Sequence, residues 1–113
     1  MKEQKKKEYN IIAVDFDGTL CNECYPAIGE ANLPLIDVLK QRRKNGDKLI
    51  LWTCREEEML DHAVQWCNYY GLFFDAVNDN IDEIKRKYRH NSRKITADIY
   101  VDDKAMTWEL LNS

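Results

Sequence analysis

A chain of 113 residues is long enough for one domain around one core, and its 44% hydrophobic and 33% charged residues exclude a disordered composition. With 17 basic and 20 acidic residues the formal charge is −3, which argues against a nucleic-acid partner held mainly by counterion release. No apolar run approaches the roughly 18 residues of a membrane span, and none follows Met1 as in a secretory signal, so a cytoplasmic protein with no membrane partner is expected.

Lys2, Lys5, Lys6 and Lys7 crowd the first positions and predict a solvated, frayed terminus over residues 1–8. In a reducing compartment Cys21, Cys24, Cys54 and Cys67 are expected as free thiols of loop and core. Cys21 and Cys24 form a C-x-x-C, but no second pair accompanies it, and His62 and His90 lack zinc-finger spacing.

The first element is a short apolar strand over residues 11–15, broken by Gly18-Thr19. Residues 20–32 read as irregular, with Pro26 and Gly29. Pro34 suits the first turn of a helix whose apolar stripe is Leu35, Ile36, Val38 and Leu39, and Asn45-Gly46 stops it. A second buried strand follows over 48–53. Glu56, Glu57 and Glu58 favour a helix start through the macrodipole, and Leu60, Ala63, Val64 and Cys67 continue at helical spacing to Gly71. Residues 72–77 predict a third strand, 81–88 a short helix, 97–101 a fourth strand and 106–111 a terminal helix. Trp52, Trp66, Tyr69 and Tyr70 fall at strand or helix spacing and are assigned to core or rim. A second basic cluster, from Lys85 to Lys94, leads into the fourth strand.

Strands alternating with helices predict an α/β domain, a three-layer Rossmann-like sandwich around a parallel sheet. No repeat, linker or hinge composition divides the chain, so residues 1–113 form a single expected domain. Ligands on such sheets bind at the carboxyl ends of the strands. Three of the four strands end in polar residues suited to chemistry: Asp15 and Asp17, Thr53, then Asp102 and Asp103.

Carboxylates crowded at one edge repel each other unless a cation joins them, and oxygen-only ligands favour a hard ion such as Mg²⁺. A carboxylate can attack phosphorus to form an aspartyl-phosphate, a second can move the proton, and a hydroxyl and an ammonium can cradle the phosphoryl oxygens. Thr53 supplies the hydroxyl, with N-capping of the next helix as its competing role. Lys94 is the best candidate for the ammonium, with a plain surface lysine as its competing reading and Arg93 and Lys104 as substitutes. Arg55 either contacts the substrate phosphate or its attached group, or is a solvated or salt-bridged arginine.

These residues resemble the haloacid dehalogenase-like superfamily. Its D-x-D-G-T-[LIV] pattern is matched by Asp15-Phe16-Asp17-Gly18-Thr19-Leu20, and its apolar strand ending in Thr or Ser by Leu49-Ile50-Leu51-Trp52-Thr53. Its lysine before the last strand is matched by Lys94, and its acidic pair by Asp102-Asp103. The matches run in the family's order over residues 10–104. The resemblance implies a magnesium-dependent phosphatase, with Asp15 as nucleophile and Asp17 as general acid and base. Mg²⁺ would be held by the Asp15 side chain, the Asp17 carbonyl and the acidic pair, Asp103 directly and Asp102 in support. Too few residues lie between the matched segments for the usual cap domain, so a capless member is expected. Such members act on macromolecular phosphates or borrow a neighbouring subunit as cap, and the short stretch after Asp103 makes a homo-oligomer more plausible.

Two other functions remain open. A receiver-type phosphoacceptor uses the same residue types, but carries its acidic pair on the first strand and its acceptor on the third, the reverse of the order here. A catalytically idle phosphate-binding protein on the same fold is the other.

Overall fold

Every residue of Ile11–Val14 is buried, as a strand covered on both faces requires, and this strand (β1) is the centre of the molecule. The computed structural model describes residues 8–88 and 95–102. β1 pairs in parallel with β2 (Lys48–Leu51) on one side and β4 (Ile99–Val101) on the other, and β2 pairs in parallel with β3 (Ala76–Val77). The sheet order is therefore β3-β2-β1-β4. Chain progress runs outward from β1 to β3 and then returns across β1 to β4, which puts the reversal of strand order at the β1/β4 seam.

The strands' two-residue alternation divides the core. Ile12, Val14, Leu49, Leu51 and Val101 face α1 (Leu33–Lys44) and α2 (Glu57–Tyr69), which contribute Leu35, Ile36, Leu39, Ala63 and Cys67. Ile11, Ala13 and Ile50 face the other way, onto Ile81 and onto Ile84 of α3 (Asp82–Tyr88). The three layers expected from the sequence are present in the described residues.

Local signals set the helix ends. Asn32 caps α1, its side-chain oxygen accepting from the Leu35 N–H at 3.4 Å while its amide donates to the Thr19 carbonyl at 3.0 Å. Arg42, Arg43 and Lys44 fill the last turn, where cations oppose the dipole's negative end. Glu57 and Glu58 occupy the first turn of α2, and Glu56 stands at its cap without a side-chain bond. Thr53 is thus not the N-cap of α2.

The third strand is shorter than residues 72–77 because its first half has other partners. Leu72 closes α2, donating its N–H to the Cys67 carbonyl at 2.9 Å and burying its side chain. Asp75 accepts the Leu49 N–H on its carboxylate and donates its own N–H to the Leu49 carbonyl, both at 2.8 Å, so a side chain stands in for one rung of the ladder. Trp66 packs edge-on against Phe16 and touches Tyr70, in keeping with a core role, whereas Tyr69 is 82% exposed. No helix among the described residues is long and apolar enough to cross a membrane. The terminal helix expected over 106–111, the basic residues 1–7, and Lys94, Asp103, Arg93 and Lys104 lie outside the described residues.

Candidate functional site

The turn after β1 is held by its own backbone. Thr19 and Leu20 both donate to the Phe16 carbonyl, at 3.1 and 2.9 Å, and Gly18 donates to the Cys21 carbonyl at 2.9 Å. Phe16 and Leu20 are fully buried and anchor the turn at both ends. Gly18 has φ of 84°, a left-handed conformation that explains why glycine follows Asp17.

Asp15 leaves β1 with its N–H on the Val101 carbonyl at 2.9 Å, and its Oδ1 accepts the Phe16 N–H at 2.8 Å. Because Val14 pairs with Val101 in register, Asp15 and Asp102 are the next residues beyond two neighbouring strand ends. Both are partly buried. They lie at the β1/β4 seam, where strand order reverses and where parallel sheets bind ligands.

Thr53 follows β2. Its N–H donates to Asn78 Oδ1 at 2.8 Å, and its hydroxyl accepts the Arg55 N–H at 3.2 Å. That acceptance leaves the hydroxyl proton available to a ligand oxygen. Asp15, Asp17, Thr53 and Arg55 line one cavity of about 520 Å³, together with Glu23, Tyr25 and Cys54. Four of the seven residues named from the sequence are therefore gathered on one wall, and Asp102 stands beside Asp15.

Arg55 is a salt-bridged arginine rather than a solvated one. Its guanidinium forks onto Asp17, Nε to Oδ2 at 2.8 Å and Nη2 to Oδ1 at 2.7 Å. The hydrogen bonds to Asp17 hold its pKa above the usual arginine value. Only 2% of Arg55 is exposed, so its charge is already matched within the protein. Among the described residues the lining counts three carboxylates, on Asp15, Asp17 and Glu23, against one arginine that is committed to Asp17. These carboxylates oppose a phosphate dianion unless cations offset them.

Among the described residues no three His, Cys, Asp or Glu side chains converge as a metal-binding group. Asp17 turns its carboxylate to Arg55, and the ligand role expected of it falls to its main-chain carbonyl. Asp15 and Asp102 at neighbouring strand ends, and that carbonyl, are all oxygen donors. Oxygen donors of this kind are the chemistry that a hard cation such as magnesium takes, one or two carboxylates with several waters.

Glu23, Tyr25 and Cys54 were not among the residues singled out from the sequence. The only signal for the first two is topological, because the connection from β1 to α1 must leave the sheet at its ligand-binding edge.

A solved structure of a conserved protein coded by a locus of Bacteroides thetaiotaomicron matches with a TM-score of 0.79 and 38% sequence identity, over 91% of this chain and 86% of that one. No protein-family model matches the chain, and no curated protein does.

Proposed function

We propose that this chain, which belongs to the same family as that conserved Bacteroides thetaiotaomicron protein, is a magnesium-dependent phosphomonoester hydrolase of the capless haloacid dehalogenase-like type. The observation that carries the reading is the placement of Asp15, Asp17 and Thr53 around one cavity at the carboxyl ends of β1 and β2.

In this reading an Asp15 oxygen attacks the phosphorus, an O–P bond forms, and the ester P–O bond breaks. Asp17 gives a proton to the departing oxygen, which leaves as an alcohol. Water then attacks the aspartyl-phosphate, Asp17 takes up its proton, and inorganic phosphate departs as the Asp15 carboxylate returns. The Phe16 N–H on Oδ1 holds the Asp15 carboxylate in one orientation for both attacks. Thr53 donates its hydroxyl proton to a phosphoryl oxygen. Lys94 would supply an ammonium, and Asp103 would join Asp15, Asp102 and the Asp17 carbonyl in holding Mg²⁺. Mg²⁺ held there would supply charge neutralisation and a Lewis-acid site for the phosphate.

Magnesium-dependent hydrolysis of an aryl phosphate tests the reading, with Asp15→Asn as control. Activity that disappears with a chelator and falls by about 10³ or more in Asp15→Asn supports it. One observation favours a second reading: both Asp17 oxygens are already engaged by Arg55. A wild type that binds vanadate but hydrolyses none of a panel of phosphoesters would instead be an idle phosphate-binding protein.

A further inference from the structure

Arg55 is the buried charge to which the proposed reaction assigns no part. Burying a guanidinium is costly unless its N–H groups are matched, and an apolar residue of similar size often serves as well for stability. Here the matching spans three parts of the chain. The fork reaches Asp17, 38 residues away in sequence. Nη2 also donates to the Ala27 carbonyl at 2.9 Å, and Nη1 to the Pro26 carbonyl at 3.2 Å. The Phe16 and Tyr25 rings lie 5.0 and 4.9 Å from Cζ, within cation–π range. A single side chain from the β2–α2 connection therefore joins the turn after β1 to the loop over residues 22–30, and Arg55, Asp17 and Tyr25 share the cavity wall.

A two-point fork fixes a carboxylate in both position and plane, which a single point charge does not. It occupies one lone pair on each Asp17 oxygen, and a carboxylate has about four. Asp17 can thus be held by Arg55 and still face the cavity that it lines.

We propose that Arg55 is a positioning residue for proton transfer: its guanidinium, braced by the Pro26 and Ala27 carbonyls, sets where the Asp17 carboxylate meets the leaving oxygen. This rests on the reading of Asp17 as the proton-transfer group. A misplaced proton donor matters little when the leaving group departs as a stable anion, and greatly when it must leave as an alcohol. The dependence on leaving group therefore separates positioning from a general structural role.

The experiment compares an activated aryl phosphate with an alkyl phosphate at saturating magnesium, in wild type, Asp17→Asn, Arg55→Met, Arg55→Lys and the Asp17→Asn/Arg55→Met double variant. Arg55→Met is expected to lower kcat on the alkyl ester by about 100-fold and on the aryl ester by less than about tenfold, the same asymmetry as Asp17→Asn. The double variant should be no slower on the alkyl ester than Asp17→Asn alone. Arg55→Lys, with charge but no fork, should fall between wild type and Arg55→Met. If Arg55→Met is unfolded at the assay temperature, the asymmetry is read on Arg55→Lys. Equal losses on both esters, or losses that multiply in the double variant, overturn the positioning role while leaving an Asp15-dependent hydrolase in place. A wild type inactive on both esters and indifferent to Asp15→Asn overturns the hydrolase reading and the role of Arg55 together.

Discussion

Thr19 belongs to the segment that most resembles a catalytic motif, yet its side chain takes no part in the contacts described. Its N–H and carbonyl hold the turn and the α1 cap, at 3.1 Å to Phe16 and 3.0 Å from Asn32. Its hydroxyl is buried and has no hydrogen-bond partner. An unmatched buried hydroxyl costs about 1 kcal/mol or more, and valine keeps the shape without it. Thr19→Val should therefore raise the melting temperature by about 5 °C, and a lowered one would show that the hydroxyl has a partner in solution. The thiols give a second prediction at this scale. Burial pushes Cys67 up from 9.0 to about 12, and burial also raises Cys21, while Cys24 and Cys54 are exposed. Two thiols should react with a thiolate-specific reagent in the native protein, and four after denaturation. The unfolded chain loses the Cys67 proton near pH 9, whereas the folded chain keeps it to about 12. The stabilisation is thus present below pH 9 and is lost as pH rises towards 12. Cys67→Ala should flatten thermal stability across that window relative to wild type. Asp15 and Asp17 were legible in the sequence because an Asp-Gly turn directly follows a buried strand. The partner of Asp17 was not, since a contact across 38 residues leaves no periodicity to read.

At the level of elements, the sequence marked helix ends well because capping is local. Asn45-Gly46 and Gly71 close α1 and α2 where their residue types predict. The third strand was overread: an apolar run suggests burial but does not say whether the residues pair. Leu72 is buried as a helix stop, and Phe73 is 49% exposed. The loop between Cys21 and Ala31 carries no helix or strand, as expected, but its ends are closed on each other. Those two residues form a bridge, and Asn22 donates to the Glu30 carbonyl at 2.9 Å. Gly29 is tight against it, for an added Cβ would lie 2.3 Å from the Asn22 carbonyl oxygen. Gly29→Ala must therefore push the loop apart and move Tyr25 and the Pro26 and Ala27 carbonyls that meet Arg55. A lower melting temperature, with a larger fall in alkyl-ester than in aryl-ester hydrolysis, is expected. Unchanged stability would mean that the loop yields without disturbing the wall. Asn32→Ala should cost about 1 kcal/mol, read by denaturant unfolding, because the cap and the tie to Thr19 are lost together.

For the whole molecule, a parallel sheet was legible from the alternation of strands and helices, but its order was not. Every strand is apolar, and burial patterns do not say which neighbours which. The observed order places β1 between β2 and β4, and this decides the site's electrostatics. Asp15 and Asp102 become adjacent strand ends at the seam where the order reverses, while Thr53 stands on the opposite flank of Asp15. The fold therefore collects negative charge at one edge, and Arg55, the arginine there among the described residues, is matched to Asp17. Without added cations, repulsion between these carboxylates opposes the folded state. A cation that binds them only in the folded state stabilises it by mass action, by about 2.7 kcal/mol at a hundred times Kd. Thermal melting should accordingly rise by roughly 10 °C at such magnesium concentrations. Inorganic phosphate should add more to the shift when magnesium is present, since the carboxylates of Asp15, Asp17 and Glu23 oppose an anion. Asp15→Asn, which removes one carboxylate, should melt higher than wild type without metal and gain less from magnesium. A phosphate shift that is equal with and without magnesium would show that the anion binds elsewhere, and that the carboxylate edge is not the phosphate site.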